Sequence, residues 1–301
     1  MNNLVYFNQQ ILPYNQAQLP LATHALHYGT GCFEGIRAYY DDKLRIFRLK
    51  EHLVRLRNSC LTLHFNLSES NEQITNTIIQ LLRQNKYEQN VYIRPLVYKK
   101  DEIITAFNLD KLSDGFAILT VPMGHYLNTA TGISAITSSW YRTSAQSIPI
   151  GAKPTGVYLN TSLAKTEAED CGAGESILLN VDGTVAEGSA ENIFLIQGNQ
   201  LITPSLDQNI LNGITRNTII ELAQKELGLT TIERPIANNQ LYLASEVFLT
   251  GTGAEVTPII AINNQPIGSG KVGEITQKLQ NLYFNCVTGK LPQYSHWLTV
   301  V

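Results

Sequence analysis

A strand-like run that gives way to a hydrophobic period near 3.6 within a few residues does most to narrow the folds open to this chain. LRIFRL (44–49) is strand-like, and EHLVRLRNSCL follows with Leu53, Leu56 and Cys60 at helical spacing. The switch then repeats. Ser70 and Gln73 make a capping box ahead of ITNTIIQLLRQ, in which Ile74, Ile78, Leu81 and Leu82 share one face. NVYIRPLVYK (90–99) and FAILTVPM (116–123) predict strands. Interleaved strand and helix patterns of this kind predict an α/β (α+β) fold.

The polar, glycine-bearing stretch MGHYLNTATG (123–132) predicts a linker, which divides the 301 residues into a domain over 1–122 and a second over 133–301. In the second part ISAITSSWYR predicts a strand and GVYLNTSLAKTEAED a helix. SILLNVDGTVAEG predicts a hairpin, with Asp182-Gly183 as a type I′ turn. After NIFLI come the helix TRNTIIELAQKELG, ending at Gly228, the strands SEVFLT and EVTPIIAI, and an amphipathic helix over 271–287.

Charge excludes several function classes. Lys plus Arg is 22 against 25 Asp plus Glu, and there are no basic runs, so neither nucleic acid nor an anionic membrane is an expected partner. No apolar stretch approaches the ~18 residues of a membrane span, and the start MNNLVYFNQQ lacks the pattern of a secretory signal. Cys32, Cys60, Cys171 and Cys286 form no CxxC pair and predict reduced thiols in a cytoplasmic protein. His24 and His27 are three apart, but no third ligand follows, so no metal is expected.

Lys153 stands in PIGAKPTGVY, a frame of proline, glycine and small residues, and no acid lies within ten positions of it. Pro154 biases it away from helical backbone angles. The residue reads either as a loop lysine or as a Schiff-base amine activated by poor solvation. The second reading needs an anion cup and an acid. Two cups are available. Gly213, Ile214 and Thr215 open a helix, whose N-terminus offers free N–H groups and the positive end of the dipole. FLTGTGAEVTP ends a strand in Thr-Gly-Thr-Gly, where Gly251 and Gly253 permit tight turns. The candidate acid is Glu187, followed by Gly188, which permits a sharp bend; Glu191 reads as structural and Asp182 as a turn residue.

Seven segments stand in order along the chain: HALHYGTGCFEGIRAY (24–39), EHLVRL (51–56), YIRPLVY (92–98), SSW to AKPTGVYLN (138–160), AEGSAENIF (186–194), NGITR (212–216) and LYLASEVFLTGTGAEVTPI (241–259). Together they resemble the branched-chain amino acid aminotransferases, pyridoxal-phosphate enzymes of class IV and fold type IV. The resemblance implies a D-amino acid aminotransferase-like architecture, with a smaller N-terminal α/β domain and a larger C-terminal pseudo-barrel α/β domain. It implies pyridoxal 5'-phosphate as cofactor, with Lys153 as the Schiff-base lysine, Tyr158 as partner of the phenolic oxygen and Glu187 at the pyridinium nitrogen. Arg55, Ile214, Thr215 and Thr252 would take the phosphate. For substrate it implies Tyr28, Phe33, Tyr92, Arg94, Met123 and Tyr126, with the backbone of Gly253 and Ala254, and it gives Arg37 a loop-supporting part. Pro154 and Met123 depart from it, standing where relatives carry a small residue and a bulky aromatic. The expected reaction is reversible amino transfer between L-leucine, L-isoleucine or L-valine and 2-oxoglutarate, in a homodimer or a larger assembly of dimers. The same fold also serves D-amino acid aminotransferases and aminodeoxychorismate lyases, and a non-catalytic binding protein is the remaining alternative.

Overall fold

The computed structural model describes residues 3–124 and 127–301. They pack as two compact units. The first takes the chain up to Gly124 and adds Ala152–Val157 and Val287–Val301; the second takes the chain from there to Gly151 and Tyr158–Cys286. The linear division at 122 and 133 assigns 152–157 and 287–301 to the second domain, whereas by packing these two segments group with the first unit.

In the first unit, the eight strands among the described residues form one sheet, paired antiparallel throughout. At its centre Val91–Lys99 pairs with Asp114–Pro122 on one side and with both Gly31–Phe33 and Ile36–Tyr40 on the other. The two-residue period buries Val91, Ile93 and Val97, while Tyr92 and Arg94 point to the opposite face and stay half-buried. Helices Leu49–Thr62 and Asn71–Asn85 cover the sheet with Leu53, Leu56, Cys60, Ile74, Ile78, Leu81 and Leu82. The predicted capping box is present: Ser70 Oγ accepts from Gln73 N at 3.1 Å, and Gln73 Oε1 accepts from Ser70 N at 2.7 Å. The strand of LRIFRL ends at Phe47, because Arg48 takes left-handed backbone angles (φ 50°) and Leu49 already opens the helix.

The second unit holds nine strands among the described residues in one mixed sheet. Ile133–Tyr141 runs parallel to both neighbours, Glu255–Ile262 and Glu175–Leu179, and Gln200–Thr203 runs parallel to Thr230–Glu233. Parallel neighbours need a long crossover. Helix Tyr158–Asp170 supplies one on the way to Glu175–Leu179, and helix Ile214–Leu227 the other on the way to Thr230–Glu233. The hairpin of Glu175–Leu179 and Val185–Gly188 forms, but its turn is not type I′. That turn needs positive φ at two residues, and only Gly183 has it, at 83°. Asp182 stays right-handed because its carboxylate accepts from Thr184 N and Oγ1, at 3.0 and 2.6 Å. Among the described residues no helix is long and apolar enough to cross a membrane.

Candidate active site

In the first unit, main-chain contacts hold Lys153 in place. Phe33 N donates to Lys153 O at 3.1 Å, and Lys153 N donates to Ser59 Oγ at 3.2 Å. Pro154 lies in an antiparallel bridge with Cys32; it has no N–H to give, and the Phe33 donor supplies the bond. Thr155 Oγ1 donates to the carbonyl of Gly29 at 2.7 Å, which fastens the lysine segment to the loop after Tyr28.

The side chains around Lys153 converge on one ring. Its Nζ lies 5.1 Å from the centroid of the buried Phe33 ring, and the guanidinium carbon of Arg94 lies 4.1 Å from the same centroid. Arg94 also donates to Tyr92 Oη, through Nε at 3.2 Å and Nη2 at 2.6 Å. Arg55 is aligned by the fully buried Glu34, to which it donates through Nε at 2.6 Å and Nη2 at 2.9 Å. His52 Nδ1 donates to the same carboxylate at 2.7 Å. Burial opposes the Glu34 charge, but Arg55 and then His52 outweigh it and hold the carboxyl well below its usual range. His52 is pushed down by burial, against the pull of Glu34.

Tyr28 is more exposed. Its hydroxyl donates to Ile104 O, and its ring meets Phe107 edge-on at 5.1 Å. Arg37, fully buried, donates to the carbonyl of Gly124 at 2.7 Å and of Met123 at 3.4 Å, so it props the start of the linker. Tyr126 lies outside the described residues.

In the second unit, Glu187 sits on a bulged strand, where a register shift between Val185 and Glu187 re-aims the side chain. The buried carboxylate takes Arg142 Nη2 at 2.7 Å on one oxygen. The other oxygen accepts from Asn192 Nδ2 at 3.1 Å and Leu211 N at 3.2 Å. Gly188 is needed for space more than for a bend: a Cβ there would come 2.9 Å from Glu191 Oε2. Tyr158 opens helix Tyr158–Asp170, and Thr161 Oγ1 ties that helix to Ser189 O at 2.7 Å, in the turn after Glu187.

Helix Ile214–Leu227 has no side-chain cap, and its first internal bond runs from Asn217 N to Gly213 O at 3.0 Å. The N–H groups of Ile214, Thr215 and Arg216 therefore lack intrahelical acceptors and suit an anion. A Cβ on Gly213 would fall 2.0 Å from Asn192 Oδ1, so the glycine lets the helix start approach the residue that holds Glu187. The Thr252, Gly253, Ala254 turn joins antiparallel strands Glu246–Gly251 and Glu255–Ile262, with left-handed backbone at Glu255 (φ 55°). These donors match a phosphorylated pyridine: N–H groups for a dianion, and an ion-paired carboxylate for a ring nitrogen.

Sequence reasoning passed over Arg142, Asn192, Glu34, His52 and Ser59. Asn192 lay within the motif that carries Glu187, but Arg142 follows the strand Ile133–Tyr141, and only the sheet order brings it there.

The family described as amino-transferase class IV matches residues 31–262. The chain is 46% identical to the probable branched-chain-amino-acid aminotransferase of Aquifex aeolicus, over 99% of this chain and 97% of that one. It is similar to the crystal structure of the branched-chain aminotransferase from Thermoproteus uzoniensis with norvaline, with a TM-score of 0.95, 37% identity and 99% coverage of both chains. The T.th. branched-chain amino acid aminotransferase, complexed with N-(5'-phosphopyridoxyl)-L-glutamate, superposes with a TM-score of 0.92 at 38% identity, covering 99% of this chain and 98% of that one. With agreement of this extent in sequence and in fold, the chain belongs to the branched-chain-amino-acid aminotransferases of class IV.

Proposed function

We propose that the protein is a pyridoxal 5'-phosphate-dependent aminotransferase that exchanges the amino group between L-leucine, L-isoleucine or L-valine and 2-oxoglutarate. The observation that carries the reading is the Phe33 ring, which has the amine of Lys153 and the guanidinium of Arg94 against it. An apolar ring beside the reacting amine suits a branched side chain. A guanidinium within the same cluster suits a second carboxylate, as in the L-glutamate moiety bound by the T.th. relative.

The cofactor supplies an aldehyde carbon for amine exchange and a ring that withdraws electrons from the substrate Cα. Lys153 Nζ takes the proton from Cα and returns it on the other side of the exchange, as base and then acid. Glu187, charge-paired with Arg142, would accept a hydrogen bond from the ring nitrogen and so keep that nitrogen protonated. Tyr158 would donate to the phenolic oxygen. The N–H groups of Ile214 and Thr215 and the Thr252 hydroxyl would hold the phosphate, and Arg55, held by Glu34, would offer it a guanidinium. Tyr28, Tyr92 and Met123 would border the side-chain pocket, and the N–H groups of Gly253 and Ala254 would take the α-carboxylate. The two compact units serve as the two domains.

The test is a panel of L and D amino donors with 2-oxoglutarate. Turnover with L-leucine, L-isoleucine and L-valine is expected, and turnover confined to D-amino acids would refute the reading. A finer result is expected from Arg94→Met. Glutamate loses a hydrogen-bonded charge partner worth about 2–3 kcal/mol, roughly 30- to 150-fold in kcat/KM, whereas leucine loses far less. Rapid mixing with each amino acid separately measures both halves. Equal losses would make Arg94 a holder of the shared α-carboxylate.

The assembly is a homodimer in which the Tyr28 loop reaches the neighbouring pocket, and the compartment is the cytoplasm. The exposed Tyr28, Ile104 and Phe107 cluster supports the first, since a second copy would cover it. The four cysteines, all free thiols, support the second. Mixing Tyr28→Phe subunits with Lys153→Ala subunits is expected to restore activity above either parent, through one wild-type pocket per heterodimer. No gain after verified subunit exchange would place the loop over its own pocket.

A further inference from the structure

Among the buried carboxyl groups of the second unit, Glu175, Glu187 and Glu191 act on one another, and the proposed chemistry uses one of them. Glu187 has the guanidinium of Arg142. Glu175 has the ammonium of Lys165 at 3.2 Å and the N–H of Ser176 at 2.7 Å. Lys165 is further engaged by Gly174 O at 2.5 Å. For Glu191 there is the N–H of Ala190, at 3.0 Å from Oε2. As a carboxylate it would be a buried charge with no cation of its own, which is the costly form.

Its position is what gives this consequence. A Cβ on Gly188 would meet Glu191 Oε2 at 2.9 Å, and a Cβ on Gly251 would meet Glu191 Cγ at 3.4 Å. The side chain therefore fills the space between the turn that follows Glu187 and the start of the Thr252 turn. We propose that Glu191 works as an uncharged carboxylic acid, a positioning residue wedged between these two turns, and that its deprotonation loosens the hold on the cofactor phosphate. The cofactor half of the inference rests on the function proposed above; the protonation half does not.

Burial, and next the Glu175 charge, push the Glu191 carboxyl up to about 8; Ala190 N–H and Lys165 oppose this, and Glu187 adds to it. Those are the groups that face it: Glu175 from its strand, Lys165 from helix Tyr158–Asp170 and Glu187 from the bulged strand. Ionisation would add a negative charge next to Glu187 and behind a turn that receives a dianion.

Infrared difference spectra, wild type minus Glu191→Gln, test the protonation. A protonated-carboxyl band is expected at about pH 6 and should vanish at about pH 9.5, on either side of a titration near 8. A pH-difference spectrum of the wild-type protein reads the same band and does not depend on the variant folding. Carboxylate bands alone at pH 6 would overturn the inference. Equilibrium dialysis with pyridoxal 5'-phosphate tests the second half. Wild type is expected to weaken on the order of tenfold more than Glu191→Gln over this interval. Identical pH dependence for both proteins would overturn it. If the band titrates and neither protein binds pyridoxal 5'-phosphate at any pH, the neutral acid stands and the functional reading falls.

Discussion

Lys153→Ala is expected to abolish amino transfer, by on the order of 10⁴-fold or more, because one amine serves as both nucleophile and proton carrier. The fold should survive. The segment is held by Phe33 N on Lys153 O and by Lys153 N on Ser59 Oγ, and neither bond involves the lysine side chain. Borohydride reduction of the wild-type holoenzyme should fix the cofactor on the peptide containing Lys153. Lys99 and Lys165 are the informative controls. Lys99 is fully buried against Asp114 at 2.8 Å and His64 O at 2.8 Å, and Lys165 is engaged by Gly174 O and Glu175. Label on either of those peptides would end the assignment of Lys153.

Glu187→Gln is expected to bind cofactor and to lose the chemical step by roughly 10²- to 10³-fold, the effect of removing one preorganised electrostatic stabiliser. Without the carboxylate charge the ring nitrogen can lose its proton, and the electron sink weakens. The substitution also strands a guanidinium. Arg142 keeps the carbonyl of Asn209 at 3.1 Å but loses its buried counter-ion, a change that costs about 3 kcal/mol or more in comparable pairs. A lowered denaturation midpoint should therefore accompany the kinetic loss. Single-turnover rates with saturating L-leucine measure the chemical step, and an unchanged rate would leave Glu187 a structural residue.

Hydrophobic periodicity and capping chemistry are local, so the elements were legible along the chain. The Ser70 and Gln73 box formed as read, and Gly228 ended its helix in the left-handed region (φ 65°). The hairpin turn was misread because Asp182 bonds locally to Thr184, a side-chain preference that competes with the backbone pattern of the Asp-Gly pair. Gly188 was read for a bend and Gly213 as a helix start, yet both are required by close neighbours, Glu191 and Asn192. Such crowding has no signature in a single sequence.

The same division holds for the site. By itself the sequence determined which residues carry reactive groups: a lysine isolated from acids, a carboxylate beside a glycine, and a glycine-led helix start with free N–H groups. These are properties of a segment and its immediate neighbours. Only the tertiary structure decided what surrounds each group. It set Arg94 and Lys153 against the same ring, gave Arg55 to Glu34 and Glu187 to Arg142, and left Glu191 with a backbone N–H. Charge state and orientation depend on burial and on partners distant along the chain, and those are settled by sheet order and packing.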